Sequence, residues 1–294
     1  RWTVGGSVNK TLLDNDLFAV TAGGDFRYDD ASKVGVENYD QGVFVAGIAD
    51  NEIREGSLGL YLEGTWYATG KLRVIGGVRG DSYNFDVTAH DATSYAGKQT
   101  SSRASPKVGL AYAATDTLEL YANWGRGFHS NDARGVVNTL DPIPGLSPGT
   151  GYEVGARTTL GDFKFTTTYW WLQQDSELIF VGDSNAVEPK GGSEREGLEL
   201  TAFWQPVGWL GVDAVYTKSD ARFINNPDGP YIEDALEQAG QIGFSATLND
   251  WDASLRVRYM GPYALLPDNS ERADPLTTVN LRGARNWENL TVYA

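Results

Sequence analysis

Stretch after stretch of this chain alternates a greasy residue with a polar one, and a period of two is the side-chain repeat of a β-strand with two unlike faces. In "SLGLYLEGTWY", Leu58, Leu60, Leu62 and Trp66 share one side, while Gly59, Tyr61, Glu63, Thr65 and Tyr67 share the other. "SPKVGLAYAA" sets Val108, Leu110 and Tyr112 against Lys107, Gly109 and Ala111. "EGLELTAFW" sets Leu198, Leu200, Ala202 and Trp204 against Glu199 and Thr201, and "DASLRVRYM" sets Leu255, Val257 and Tyr259 against Ser254, Arg256 and Arg258. One face is fit for oil and the other for water.

The connectors between these stretches alternate in length. Short ones fall at 10–16, 68–71, 114–117, 160–162, 205–208, 249–252 and 286–289, and long polar ones at about 29–54, 87–103, 129–149, 175–194, 220–236 and 261–274. A soluble sandwich has no reason to keep every long loop on one end, whereas an outer-membrane barrel has short periplasmic turns and long external loops. The spacing predicts about fourteen strands in an up-and-down antiparallel meander, with little helix. Trp66, Trp171, Trp204, Trp209, Trp251 and Trp287 lie near the expected strand ends, where an indole can sit at the headgroup level of a bilayer.

Composition removes other classes. No run of eighteen apolar residues exists, so a membrane-spanning helix is excluded, but a mean hydropathy of -0.36 is compatible with a barrel, in which only alternate residues meet lipid. The chain has no Cys, hence neither disulfides nor thiolate metal sites, and its net charge of -15 speaks against nucleic acid. It opens at "RWTVGGSV" with no signal peptide and closes at "NLTVYA" within a strand, and is expected to be a piece of something longer.

"RASPKVGLAYAATDTLELYANWGRGFHSNDARG" resembles the barrel of TonB-dependent outer-membrane receptors of Gram-negative bacteria. "GYEVGARTTL", "DSELIFVGDSNAVEPKGGSEREGLELTAFWQP" and "LRVRYMGPYALLPDNSERADPLTTVNLRGARNW" are similar to later strands and loops of that family, and the resemblance is densest from Arg103 to Trp287. It implies an all-β, antiparallel, up-and-down transmembrane barrel of about 22 strands with a plugged lumen. On this reading residues 1–294 are a partial barrel domain of about 14 of those strands, without the plug domain, the segment that engages the TonB energy-transducing complex, or the last strand. Such an open sheet is expected to aggregate or fail to insert alone, because hydrocarbon offers its edges no partners.

In "YANWGRGFHSNDARG", Leu118, Leu120, Ala122 and Trp124 are expected to face outward, with Glu119, Tyr121, Asn123, Gly125 and Gly127 inward, and the polar run begins at the external mouth. Tyr121, Asn123, His129, Asn131, Asp132 and Arg134 are therefore candidates to touch a ligand or the plug. Plug or loop contact is preferred for Asp132 and Arg134, which can pin the loop root through charge-assisted hydrogen bonds. His129 has no second His or Cys beside it, so a polar root residue is favoured over a metal or haem ligand. Glu63, Arg73, Arg79, Asp81, Glu119, Glu153, Arg157, Glu199, Arg256 and Arg258 form an inward ladder of both signs, explained by wetting or by salt bridges to a plug. The acids of 175–183 and the group Asp268, Glu271 and Asp274 match no calcium loop.

No serine-hydrolase elbow, Walker loop or zinc-protease motif occurs, so no enzyme or cofactor is expected. The resemblance implies energy-dependent uptake of a scarce bulky ligand such as a ferric siderophore, with outer-membrane lipid, the plug and the TonB complex as partners. A passive porin or fatty-acid channel and a soluble all-β enzyme are the competing classes.

Overall fold

The computed structural model describes residues 1–91, 94–181, 186–288 and 290–294, with backbone alone at 178–181 and 186–190. Its strands are β1 Trp2–Asp14, β2 Phe18–Asp40, β3 Val43–Tyr67, β4 Leu72–Ala89, β5 Gly97–Ala113, β6 Leu118–Ser130, β7 Leu146–Leu160 and β8 Phe163–Gln174. They continue with β9 Glu177–Val181, β10 Ala186–Lys190, β11 Ser193–Val207, β12 Leu210–Phe223, β13 Gln238–Leu248, β14 Trp251–Met260, β15 Leu276–Trp287 and β16 Leu290–Tyr293. One four-residue helix, α1 Ala133–Val136, follows β6. All strands but β9 and β10 join one 14-stranded sheet whose order is the order of the sequence, and β9 and β10 pair with each other. The expected fourteen-strand meander is what forms.

The chain divides into two compact units: Arg1–Gly109 with Trp124–Thr150 and Gln174–Gly192, and Leu110–Asn123 with Gly151–Gln173 and Ser193–Ala294. In the second, the register shows how the two faces are kept apart. Trp204, Val212, Phe244, Leu255 and Leu281 stand side by side across five strands. The next row holds Asp213, Gly243, Arg256 and Asn280, with Phe203 as its one apolar member. Leu281 is 78% and Val279 64% exposed, and in the first unit Leu60 is 62% exposed. Exposed apolar side chains, recurring along the strands of both units, belong to a surface that meets hydrocarbon rather than water.

Aromatics bracket the apolar band. Trp66, Trp204, Trp209, Trp251 and Trp287 sit at the short-turn ends of their strands and are all exposed. Trp171 lies at the other end, its ring centre 5.3 Å from that of Tyr152 with the planes tilted by 40°. Eight residue steps separate Trp251 from Tyr259 along β14, about 27 Å of strand. A tilt of about 40° makes that roughly 20 Å of depth, near the ~25 Å band of such proteins.

Three of the short turns share a closing device. The Asn15 side-chain oxygen accepts from the Leu17 and Phe18 amides at 2.9 Å each, and the Thr69 hydroxyl oxygen accepts from the Lys71 and Leu72 amides at 3.1 and 3.0 Å. Thr115 does the same for Thr117 and Leu118. A side chain that satisfies its own turn's amides lets the strands reverse in two to four residues.

The long connectors differ from expectation in two places. Residues 29–54 are not a loop: β2 and β3 stay paired up to Asp40–Val43 and reverse through Gln41 and Gly42, whose φ values of 48° and 82° fit a type I′ hairpin turn. At 23 and 25 residues these strands far exceed the 9–11 needed to cross a bilayer, so the ladder projects beyond it. Lost alternation hid it: 29–33 is mostly polar on both sides and 43–49 apolar on both, since a ribbon in water needs no contrast between its faces. Residues 175–194 carry the β9–β10 hairpin. Asp183 and Asn289, which belonged to the expected acidic stretch and last short turn, lie outside the described residues.

An arginine in place of Leu255, near mid-depth, is expected to destabilise the full-length protein in lipid vesicles by ~2–4 kcal/mol. Ser254→Arg, one residue away on the wet face, should cost less than about 1 kcal/mol in the same denaturant titration.

Candidate functional site

In the first unit, β6 hands over at Ser130 to a segment that turns back on itself. The Asn131 side-chain amide donates to the Pro144 carbonyl at 2.6 Å and its backbone N–H to the Gly145 carbonyl at 3.0 Å, closing residues 131–145 into a strap. Asp132 caps α1: its Oδ1 accepts from the Arg134 amide at 2.9 Å, and the Arg134 guanidinium folds onto both carboxylate oxygens at 2.9 and 2.7 Å. Burial pushes the Asp132 carboxyl up, but the hydrogen bonds and charge of Arg134 outweigh it and hold the group below the usual carboxylate range.

The strap's inner side is apolar. Ala133, Val136, Val137 and Ile143 pack on Phe85 and Val87 of β4, with Ile53, Tyr83 and Tyr95 around them. Phe85 and Val87 are on the wet side of their strand, in phase with Arg79 and Asp81, so a greasy patch there is covered by the strap rather than by lipid. This cluster was not expected from the sequence. Its signal was present in Val136, Val137 and Ile143, three large apolar residues inside a run otherwise fit for water.

His129 Nε2 donates to the Ser176 carbonyl at 3.1 Å, and the Ser147 and Ser176 hydroxyls are 2.7 Å apart. The ring thus joins the root of one connector to the next. The Asp268 carboxylate accepts from the Ser270 amide and hydroxyl at 3.0 and 2.7 Å and is engaged locally, while Glu271 takes part in the 261–275 loop through its backbone carbonyl, which accepts from the Leu265 amide. Among the described residues no group of three or more His, Cys, Asp or Glu is placed to hold a metal ion.

Deeper on the wet side, Arg79 bridges two carboxylates. Its Nη1 and Nη2 meet Asp25 at 2.7 and 2.9 Å, and its Nε meets both Asp81 oxygens at 2.9 and 3.0 Å. Asp25, Gly59 and Asp81 are direct cross-strand partners on β2, β3 and β4. A Cβ on Gly59 would occupy the space the guanidinium takes. Asp25 was missing from the expected ladder, because only register reveals that it faces Arg79. Beside this bridge lies a cavity of about 530 Å³ lined by Tyr61, Glu63, Arg79, Ser105, Lys107 and Arg126, with Lys107 paired to Glu63. Arg73 stands opposite Tyr67 near the short-turn end.

In the second unit, the Tyr121 hydroxyl meets Thr168 at 2.5 Å, Asn123 donates to Glu153 at 2.5 Å, and Arg157 donates to Glu119 at 2.6 Å while lying 5.5 Å from the Tyr121 ring centre. Arg258 donates to Gln241 at 2.8 Å and Arg256 to Asp213 at 3.2 Å, and Glu199 stands opposite Thr217. Of the expected inward charges, Arg157 and Glu119 pair across strands, Arg79 and Asp81 pair along β4, and Glu63, Glu153, Arg256 and Arg258 meet Lys107, Asn123, Asp213 and Gln241. This arrangement holds a hydrated, polar wall in shape.

A meander of fourteen antiparallel strands, apolar between aromatic belts on one side and laced with ion pairs on the other, is the wall of an outer-membrane β-barrel protein. The chain belongs to the family described as TonB dependent receptor-like, beta-barrel, whose model matches residues 1–294, which places it in the outer membrane of a Gram-negative bacterium and among receptors rather than enzymes. It is 26% identical over 231 residues to the metal-pseudopaline receptor CntO of Pseudomonas aeruginosa, covering 72% of this chain and 32% of that one. The ferric yersiniabactin uptake receptor FyuA of Yersinia pestis superposes with a TM-score of 0.78 at 14% identity, over 96% of this chain and 46% of that one. The siderophore receptor PiuA of Acinetobacter baumannii gives 0.77 at 13% identity, over 99% and 50%. The chain thus spans about a third of its curated relative and half of these solved receptors.

The Asp132 pairing should be complete above about pH 4, the unfolded carboxylate's range, and fade as pH falls through the lower folded value. A spin label at Leu140 of the full-length receptor is expected to be immobile at pH 7 and pH 5 and mobile in strong acid. Asp132→Asn, which keeps a capping side chain but loses the charge, should loosen the label at every pH.

Proposed function

We propose that this chain supplies wall and external loops to an active-transport receptor that takes up a scarce, bulky metal chelate such as a ferric siderophore. The observation that carries the reading is the strap: the first unit commits an apolar cluster and a closed hydrogen-bond ring to folding residues 131–145 onto the wet face, which a freely conducting pore has no need of. The names of the relatives, a metal-pseudopaline receptor and two siderophore receptors, support the same ligand class.

On this reading a plug domain and a TonB-engaging segment belong to the rest of the receptor, residues 1–294 being its partial barrel domain. In the first unit His129 and the strap residues Asn131, Asp132 and Arg134, and in the second Tyr121 and Asn123, serve the ligand or the plug by holding wall and loops in shape. Glu63, Lys107 and Arg126 around the first unit's cavity offer charges of both signs to a plug.

Cells lacking the full-length receptor are expected to lose growth on at least one ferric chelate in a panel of iron, cobalamin and sugar sources. Uptake of that chelate should stop when the inner membrane is de-energised. Uptake that persists without energy would identify a passive channel instead.

A further inference from the structure

One cation on the lipid face is out of character. On β15 the residues in phase with Val279 and Leu281 are Gly283, Arg285 and Trp287, so Arg285 projects on the side that meets hydrocarbon. Its direct partner on β14 is Trp251, the first residue after the short turn, and its partner on β16 is Val292. The guanidinium carbon lies 5.1 Å from the Trp251 ring centre and 4.9 Å from that of Trp287. Trp251 and Trp287 are 57% and 47% exposed, and Arg285 is exposed between them.

Among the described residues, these ring contacts are the side-chain interactions recorded for Arg285, and no carboxylate stands against it. The wet-side arginines behave differently: Arg79, Arg157 and Arg256 each bind an acid. A guanidinium gripped by two π-faces still presents N–H donors at its edge, in the fork geometry that fits phosphate. Trp at a bilayer boundary sits at headgroup level, so this charge is held at the depth of the lipid phosphates. Short turns mark that boundary as the periplasmic one.

We propose that Arg285, clamped by Trp251 and Trp287, is a binding site for the phosphate group of a membrane phospholipid in the periplasmic leaflet. The occupant is a lipid and not free phosphate, because Val292 flanks the arginine at its own level and Leu281 and Leu255 continue from there toward mid-bilayer, giving acyl chains their place. Two indoles fix one side-chain conformation, so the phosphate meets a preorganised fork rather than a mobile side chain.

The test uses the full-length receptor, delipidated in detergent and then offered phosphatidylglycerol, phosphatidylcholine or inorganic phosphate, with retained lipid counted by native mass spectrometry and Tm measured alongside. Wild type should retain at least one more phosphatidylglycerol than Arg285→Gln, with a Tm rise that the variant lacks. Arg285→Lys should fall between them, since it keeps the charge and loses the fork. Trp251→Leu, which leaves the arginine in place, should lower retention several-fold. Equal retention by wild type and Arg285→Gln overturns the proposal, as does an equal Tm rise with inorganic phosphate alone. If Arg285→Gln does not fold, the wild-type and Trp251→Leu arms decide: no difference between them is also a refutation.

Discussion

Hydrocarbon has no partner to offer a bare N–H or C=O, and everything else in this chain follows from that constraint. Strands must bond to neighbours along their full membrane length, so side chains are forced into a strict two-sided alternation with fixed cross-strand neighbours. Once Trp204, Val212, Phe244, Leu255 and Leu281 are aligned on one side, the residues between them are aligned on the other. The oil-facing pattern and the ion-pair pattern are two readings of one register.

That coupling explains why charge is so plentiful on the wet side yet so seldom alone. Exposed ion pairs contribute little each, about 0–1 kcal/mol, but Asp81 is buried, so the bridge of Arg79 to Asp25 and Asp81 both satisfies a carboxylate taken out of water and sets the spacing of three strands. The strap adds apolar packing over Phe85 and Val87 and converts a connector into a folded part of the wall. Arg134 and Asn131, which the sequence offers as ligand contacts, spend their hydrogen bonds inside it. On the function proposed above, these residues would shape a recognition surface rather than supply its free valences.

Strand number, facing and the short turns were legible because lipid imposes a rule that every strand must obey. Asn15, Thr69 and Thr115 even announce the turns, each at the start of a polar break. Legibility fails where the chain leaves the bilayer, since a ribbon in water needs no contrast between its faces. The β2–β3 extension therefore read as loop, although Gln41-Gly42 is a turn dipeptide in a suitable place. Asp25 and the Phe85 cluster needed three-dimensional register: a sequence shows which face a residue takes, but not which partner it meets three strands or sixty residues away.

The long connectors of the second unit follow the same logic, which matters for capture on the function proposed above. Arg272 binds Glu237 at 2.7 Å and the Asn269 side chain at 2.5 Å, and the Tyr231 and Asp234 amides donate to the Pro267 and Ala264 carbonyls at 3.0 Å each. Arg222 lies 3.7 Å from the Tyr231 ring centre. Residues 224–237 and 261–275 thus order one another before any ligand arrives. Capture of a scarce molecule is limited by the entropy of fixing the surface that holds it, and loops already cross-linked have less of that cost left to meet. The strap of the first unit and these linked loops of the second reach the same result by different chemistry, one by burying valines and an isoleucine, the other by spending an arginine.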